Sequence, residues 1–263
     1  HIQHIVNKSK SLHINLLSRM VVFSSYYTDT KEKIKSAPVE SFQHILGHGR
    51  RNPMKGPTMY IPMPTAALES AARHLRRQGA IITATAANAE YLLYSAPTKL
   101  DMLGECTANQ TIIGGNLDFL NECVERIDLL KDPHYLCANA AITAESALGL
   151  ILKELRCEIT RANILILGWG RIGKCLTHQL HHLNASVTVY ARKDADRAML
   201  RALGYRYISR EDLGRTLPRF HCVINTVPAA VLTEPEARTL RPECLKLELA
   251  SGIWLPGEDV VPA

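Results

Sequence analysis

The chain has 263 residues, 46% of them apolar, and a formal charge of +6, so it can form one large or two medium domains around a substantial core. No apolar run is predicted to span a membrane, and no secretory signal is expected. The seven cysteines are scattered and contain no C-x-x-C pair, which is typical of free thiols in a reducing cytosol. We therefore expect a cytoplasmic protein with no membrane partner.

The excess positive charge lies near the start of the sequence. Residues 1–57 contain nine Lys or Arg and three acidic residues, whereas residues 58–263 contain twenty-two of each. A neutral globular part has no net field to attract a polyanion, so no nucleic-acid partner is expected. The poor periodicity of residues 1–57 predicts a poorly ordered basic extension.

Residues 58–142 alternate short β-type runs with apolar-periodic segments, which predicts a small parallel α/β domain. Thr65 as N-cap and Gly79 as C-terminal stop define the first predicted helix. The predicted elements are a strand at 59–63, a helix at 65–78, strands at 80–84, 90–94 and 111–113, and helices at 117–130 and 143–155. Residues 143–157 are expected to connect this domain to the next.

A glycine turn follows the predicted strand at 163–167 and precedes a helix and a second strand at 186–190. The turn, a G-x-G-x-x-G pattern, is Gly168-Trp169-Gly170-Arg171-Ile172-Gly173. The first glycine permits a tight turn, the second lets the backbone approach a pyrophosphate, and the third lets the helix pack closely on the strand. The helix N-terminus then offers N–H groups to the phosphates. The pattern predicts a dinucleotide site; the alternative is a strand–helix corner that binds no ligand.

The end of the second strand indicates which dinucleotide binds. NAD sites usually place Asp or Glu there to bind the ribose 2′-OH. This chain has Ala191, Arg192 and Lys193 instead, which offers two cations to a 2′-phosphate. We predict NADP, with NAD possible; the alternative is that Arg192 and Lys193 are ordinary solvated residues.

Residues 158–263 continue as a doubly wound NAD(P)-binding domain, and the fold class predicted for the chain is α/β with two Rossmann-like parallel-sheet domains. Further elements are a helix at 196–203 and strands at 205–208, 220–225 and 245–249. Ligands in such sheets lie beyond the carboxyl ends of the strands. The two later strand ends therefore add cofactor-binding candidates: Asn225, Thr226, Val227, Pro228, Ala250 and Ser251. A plain turn ending in proline is the alternative at Pro228.

Polar groups in the first domain are candidates for binding a small dicarboxylate substrate. They are Gly114, Gly115 and Asn116, whose backbone N–H groups could bind a carboxylate, and Asn139. A tight strand–helix turn is the alternative for the glycines.

Glu145 and Thr143 are the candidate catalytic residues, with Glu145 as general acid or base. The alternative is that Thr143 caps a helix and Glu145 complements its dipole. His178, His181 and His182 share a helix side, but a solvated helix face is the favoured interpretation and no metal is expected.

Several of these motifs together resemble the A-type component of the dipicolinate synthase family over about residues 110–263. The segments that carry the resemblance are Asn139-Ala-Ala-Ile-Thr143-Ala-Glu145-Ser, ILGWGRIGK, VYAR, VINTVPA and LELAS. The chain departs from the family at Ile142 and Ser146, where Pro and Gly are usual, and at Glu248, where Asp is usual. The family also continues into a closing helix, so the second domain is expected to be incomplete at its C-terminus.

The resemblance implies a sporulation enzyme that acts with a second subunit. We expect that subunit to be flavoprotein-like and this chain to form an oligomer. It would oxidise hydroxy-tetrahydrodipicolinate to dipicolinate with NADP. Two alternatives remain open: a related dehydrogenase of the shikimate or 2-hydroxyacid type, and a non-catalytic subunit that binds or senses NADP.

Overall fold

A computed structural model describes residues 56–104, 106–107 and 109–262. The predicted basic extension, apart from its last two residues, lies outside this range. The chain forms two compact units, one ending at Asn139 and the other beginning at Ala140. The domain limits expected from the sequence remain predictions.

The first unit contains a five-stranded parallel sheet with the strand order β2-β1-β3-β4-β5, the order of flavodoxin-like sheets. Helix α1 begins after Thr65, whose Oγ1 accepts a hydrogen bond from the Leu68 N–H, and ends before Gly79, whose φ is +91°. Both sequence-predicted ends of this helix are therefore confirmed. The element bounds are β1 Thr58–Tyr60, α1 Ala66–Arg77, β2 Ile81–Ile82, β3 Tyr91–Leu93, β4 Thr111–Gly114 and β5 Arg126–Asp128.

The helix predicted at 117–130 is wrong. Asn116 adopts a left-handed conformation with φ 60°, and the Asp128 carboxylate accepts hydrogen bonds from the N–H groups of Asn116 and Leu117. Residues 126–128 pair with β4 as a parallel strand. Tertiary strand pairing and a side-chain cap therefore override a local periodicity that fits a helix.

Helix α2 spans Pro133–Glu154 and begins ten residues earlier than predicted. Asp132 Oδ1 accepts a hydrogen bond from the His134 N–H, and proline is favoured at the first helical position. By length and composition alone, α2 is long and apolar enough to cross a membrane. By these two criteria, the prediction that no segment could do so is wrong. Its buried stripe, which includes Ala144, Ala147 and Ile151, belongs to the core of the second unit.

The second unit contains a six-stranded parallel sheet with the order β11-β10-β9-β6-β7-β8. Counted along this unit, the order is 3-2-1-4-5-6 from one edge, the order of dinucleotide-binding Rossmann domains. The bounds are β6 Asn163–Leu167, α3 Arg171–His182, β7 Ser186–Tyr190, α4 Asp194–Ala202, β8 Arg206–Ile208, α5 Arg210–Thr216, β9 Cys222–Asn225, α6 Glu234–Ala237, β10 Leu245–Glu248 and β11 Val260–Pro262.

Alternate residues of the central strand β6 pack into different cores. Ile164 and Ile166 belong to one buried cluster, and Leu165 and Leu167 belong to another. A strand buried on both faces is the arrangement expected of a doubly wound sheet, so this part of the predicted fold class is confirmed. Strand β11 and helices α5 and α6 were not predicted, because each is too short to show a clear periodicity.

Candidate cofactor-binding site

The predicted cofactor residues all lie at the carboxyl edge of the six-stranded sheet. The glycine turn follows β6, Ala191 follows β7, Thr226 follows β9, and Ala250 lies just beyond β10. Strand β6 pairs with β7 on one side and with β9 on the other. The direction of chain progression reverses at this point, which is where open α/β sheets bind their ligands.

Each glycine of the turn has a different structural requirement. Gly168 has a φ of +110°, and a Cβ there would lie 2.6 Å from Thr226 Oγ1 and from Val227 Cγ2. A Cβ at Gly173 would lie 2.4 Å from the Gly168 carbonyl oxygen. A Cβ at Gly170 would meet no heavy atom of the described residues within 4 Å. The outer glycines therefore fix the packing of strand and helix, whereas Gly170 borders open space at the position where a pyrophosphate would approach.

The start of α3 is suited to an anion. Its first turn contains no acidic residue, and its N-cap residue, Gly170, has no side chain to accept from the free N–H groups. Arg171 is exposed and Ile172 packs against the core. The N–H groups of the first turn and the positive end of the helix dipole therefore face the open space beside Gly170.

Trp169 is packed rather than extended into solvent. Its side chain is 8% exposed, and its ring meets the Tyr205 ring edge-on at 5.9 Å. Lys174 Nζ lies 5.8 Å from the centre of the Trp169 ring. The tryptophan anchors the turn to the core and leaves the backbone on its other side exposed at Gly170.

Arg192 and Lys193 are both exposed at the end of β7, while Ala191 is buried. Arg197 lies on α4 and was not predicted as a site residue. Its guanidinium donates to the carbonyl oxygens of Ala191 and Arg192, at 3.0 and 2.7 Å, and so stabilises this turn. It also pairs with Asp194 at 3.2 Å. The Asp194 carboxylate beside this turn is therefore paired with Arg197, while the Arg192 and Lys193 side chains stay exposed. The i,i+3 spacing of Arg197 from Asp194 was the available sequence signal.

The loop after β9 is tied to the glycine turn. The Thr226 hydroxyl and N–H both donate to the Leu167 carbonyl oxygen, at 2.9 and 3.0 Å. The Asn225 side chain is 1% exposed, donates to the Val227 carbonyl oxygen at 2.8 Å and accepts from the Val227 N–H at 3.1 Å. Pro228 is exposed. Asn225 and Thr226 therefore shape this loop, and cofactor binding by it remains a prediction.

The loop after β10 depends on Glu248, which the sequence analysis did not count among the site residues. The Glu248 side chain is 2% exposed and accepts four hydrogen bonds from neighbouring N–H groups. Ala250 is half-buried, and Ser251 is exposed and accepts a hydrogen bond from the Trp254 indole at 2.9 Å. A glutamate inside an apolar strand run was the signal for this buried network.

The candidate substrate residues after β4 already have internal partners. The Gly115 N–H donates to Thr98 Oγ1 at 3.0 Å, and the Asn116 N–H donates to Asp128 Oδ1 at 3.1 Å. A Cβ at Gly114 would lie 2.2 Å from Thr98 Oγ1. The tight-turn alternative accounts for both glycines, and these N–H groups could bind a substrate only by giving up their present partners.

The structure does not bring the two catalytic candidates to one side of α2. Thr143 lies in the interior of this helix, so its predicted role as an N-cap is wrong. At about 100° per residue, the side chains of Thr143 and Glu145 leave the helix roughly 160° apart, on nearly opposite sides, and Glu145 is exposed. Asn139 lies one turn before Thr143 on the same side of α2. The catalytic and substrate roles of these residues remain predictions.

Histidines and cysteines add no further catalytic group to the cofactor edge. His178, His181 and His182 are exposed, and no metal-ligand group of three is formed within the described residues. Burial raises the pKa of Cys222 well above its ordinary value and that of Cys244 to about 12. Neither buried thiol has the low pKa that a nucleophilic cysteine needs.

Comparison with known proteins shows a sequence similarity to one component of dipicolinate synthase and a similarity of fold to solved dehydrogenases. No family model matches. Over 113 residues, 43% of this chain, the sequence is 27% identical to the A-type component of dipicolinate synthase from Bacillus subtilis strain 168, and the match spans 38% of that relative.

Two solved structures show a similar fold. The A-type component of dipicolinate synthase from Bacillus halodurans has a TM-score of 0.62 at 18% identity, covering 75% of this chain and 83% of its own. Salmonella D-lactate dehydrogenase has a TM-score of 0.55 at 10% identity, covering 77% and 73%. The chain is therefore similar to the A-type component of dipicolinate synthase and has the two-unit parallel α/β fold of dehydrogenases.

Proposed function

We propose that this chain is the NADP-binding oxidoreductase subunit of a dipicolinate-forming enzyme. The observation that carries the proposal is the glycine turn, in which Gly168 and Gly173 are required by packing while Gly170 borders open space at an uncapped helix start. Arg192 and Lys193 at the end of β7 support NADP over NAD. The similarity to the A-type component of dipicolinate synthase supports the choice of reaction.

The residues present fit a dinucleotide. The backbone beside Gly170 and the first turn of α3 would hold the pyrophosphate. Arg192, oriented by Arg197, would bind the 2′-phosphate through its planar fork, and Lys193 would add a point charge. The loops that Asn225 and Glu248 shape would contact the nicotinamide half, because they lie on the opposite side of β6 from β7.

The proposed reaction removes water and two hydrogens from hydroxy-tetrahydrodipicolinate. Loss of water gives the dihydro ring, and loss of one hydride and one proton then gives aromatic dipicolinate. When bound, NADP⁺ supplies the hydride acceptor, and the protein's part is to orient the two molecules and exclude water. Glu145 is the proposed acceptor of the proton.

A non-catalytic NADP-binding subunit is the second candidate. It is favoured by one observation: Glu145 is exposed and lies on a different side of α2 from Thr143. An acid–base pair would normally converge on one reacting atom. In this alternative the chain senses or presents NADP, and the chemistry belongs to a partner protein.

Turnover of the full chain tests the choice between these candidates. The protein is mixed with NADP⁺ and hydroxy-tetrahydrodipicolinate, with and without a flavoprotein-like second subunit, and the absorbance of reduced nicotinamide is followed. The proposal expects NADPH and dipicolinate to appear together, and Glu145→Gln to slow their formation. Cofactor binding without turnover in either mixture would contradict the enzymatic proposal and support the non-catalytic one.

A further inference from the structure

Glu248 is a buried carboxylate whose partners are all uncharged. Its Oε1 accepts from Asn225 Nδ2 at 2.9 Å and from the Ala250 N–H at 3.1 Å. Its Oε2 accepts from the N–H groups of Trp254 and Leu255 at 2.9 and 3.1 Å. No Lys or Arg among residues 56–104, 106–107 and 109–262 forms an ion pair with it.

This pattern requires two oxygens that both accept. An ionised carboxylate offers acceptor sites on each oxygen, whereas an amide in its place would turn an N–H₂ group toward two N–H donors. Burying an anion without a cation is costly unless charge-assisted hydrogen bonds compensate for the loss of water. The four donors, three backbone N–H groups and one side-chain amide, provide that compensation.

One of the four donors, Asn225, ends strand β9, and the other three lie in the loop after β10. Asn225 shapes the loop after β9 through its contacts with Val227, while Ala250, Trp254 and Leu255 belong to the loop after β10. Glu248 therefore ties together two loops that are adjacent at the carboxyl edge, since β9 pairs with β10. If Glu248 were removed, both loops would lose their shared anchor.

The position of these loops identifies the part of the cofactor they would contact. The 2′-phosphate candidates follow β7 and the pyrophosphate turn follows β6. Strands β9 and β10 lie on the other side of β6. A dinucleotide that crosses this edge places its adenosine half over β7 and its nicotinamide half over β9 and β10.

We propose that Glu248 is a positioning residue for the nicotinamide half-site, a role that rests on the proposed NADP function. It acts through Asn225 and the backbone of residues 250–255, without touching the cofactor. Its loss disorders the nicotinamide half-site and leaves the adenosine half-site intact, because Arg192 and Arg197 share none of the hydrogen bonds that Glu248 makes. The bonds from Thr226 to the Leu167 carbonyl oxygen, which tie the loop after β9 to the glycine turn, do not involve Glu248 either.

The two tryptophans of the sequence, Trp169 and Trp254, give an independent measure of loop order. The Trp254 N–H bonds to Glu248, and its indole bonds to the Ser251 carbonyl oxygen. In a Trp169→Phe background, Trp254 is the sole tryptophan. Glu248→Ala in that background should shift the emission to the red and increase acrylamide quenching of the protein without cofactor.

The decisive experiment compares binding of NADPH with binding of adenosine 2′,5′-bisphosphate, which represents the adenosine half alone. Glu248→Ala should weaken NADPH roughly tenfold or more and change the fragment by less than about twofold. Glu248→Asp keeps both acceptors on a shorter stem and should lose less, which also provides a folded variant. Glu258→Ala removes an exposed carboxylate near the same loop and should change neither ligand.

Equal losses for NADPH and the fragment would indicate general damage to the domain and overturn the role of Glu248, as would no loss for either. If the wild-type protein binds both the fragment and NADPH, the NADP function stands and the variants test the role of Glu248 alone. If the wild-type protein binds neither, the NADP function itself fails and this inference fails with it.

Discussion

The five-stranded sheet has a pair of glycines at the end of β4, where Gly114 is the last strand residue and Gly115 follows it. The six-stranded sheet has three glycines after β6, at positions 168, 170 and 173. Both glycine sets lie at the carboxyl end of a parallel strand, where open α/β sheets bind ligands. In the first turn, added Cβ atoms would meet Thr98, Ala96 and Leu130. In the turn after β6, an added Cβ at Gly170 would meet no heavy atom of the described residues within 4 Å.

The two turns also differ in how their N–H groups are used. The Gly115 and Asn116 N–H groups donate to the Thr98 hydroxyl and the Asp128 carboxylate. The start of α3 has no side-chain cap and no acidic residue in its first turn. Glycine at a strand end can therefore serve internal packing or ligand approach, and the partners of the N–H groups distinguish the two uses.

The largest effect is expected at Gly173, where a Cβ would lie 2.4 Å from a backbone oxygen. Gly173→Ala forces α3 away from β6 and should lower the free energy of unfolding by about 1–3 kcal/mol while abolishing NADPH binding. Chemical denaturation and fluorescence titration measure the two effects. Gly149→Ala is the control, because an added Cβ in that exposed stretch of α2 meets nothing within 4 Å in the described residues; it should be neutral or stabilising.

Gly170→Ala and Gly115→Ala should separate binding from stability in opposite ways. The first adds a methyl group where the pyrophosphate approaches, so NADPH binding should fall at least roughly tenfold with an unchanged unfolding midpoint. The second places a Cβ 2.8 Å from both Ala96 Cβ and Leu130 Cγ, so it should destabilise the protein by about 1–3 kcal/mol. Loss of stability in Gly170→Ala would show that the turn is a packed corner as well.

The next prediction concerns the end of β7 and its 2′-phosphate. Arg192→Asp should weaken NADP⁺ relative to NAD⁺ by roughly ten- to a hundredfold, because a charge-assisted contact contributes about 1.5–3 kcal/mol. Arg197→Met should shift the same ratio in the same direction but less, since Arg197 orients the turn from α4. Arg219→Asp, a charge-matched change ahead of β9, should leave the ratio unchanged. An unaltered ratio in Arg192→Asp would mean that Arg192 is merely solvated.

The smallest expected effect lies in the five-stranded unit. Thr65→Ala removes the oxygen that caps α1 by accepting from the Leu68 N–H at 3.2 Å. The free energy of unfolding should fall by about 1 kcal/mol, and NADPH affinity should not change. Thr65→Ser keeps the capping oxygen and should restore most of the stability. A change in cofactor affinity in Thr65→Ala would break the assignment of cofactor binding to the other unit.

Local signals in the sequence predict the elements whose boundaries are marked by caps and glycines. Thr65 and Gly79 define both ends of α1, and the G-x-G-x-x-G turn defines the β6–α3 corner. The prediction of a helix at 117–130 is wrong because the structure of this segment depends on two contacts made in the folded chain. Strand β5 pairs with β4, and the Asp128 carboxylate accepts a hydrogen bond from the Asn116 N–H. Such distant contacts leave no periodic trace.

In the candidate site too, residues marked by a local motif were predicted, and residues that act through distant contacts were not. The strand ends that touch the glycine turn could be predicted because their residue types belong to a known pattern. Arg197 and Glu248 were missed because they act on backbone groups brought close by folding. The capping role predicted for Thr143 is wrong because α2 begins ten residues earlier, at Pro133 after Asp132. Asp followed by Pro is itself a helix-start signal, and it was overlooked in favour of the later threonine.

Binding of NADP⁺ and NAD⁺ to the wild-type chain, measured by calorimetric titration under identical salt conditions, tests the central claim most directly. We expect both dinucleotides to bind at one site per chain and NADP⁺ to bind at least roughly tenfold more tightly. No binding of either dinucleotide would contradict the assignment of the glycine turn. Tighter binding of NAD⁺ would contradict the role given to Arg192 and Lys193.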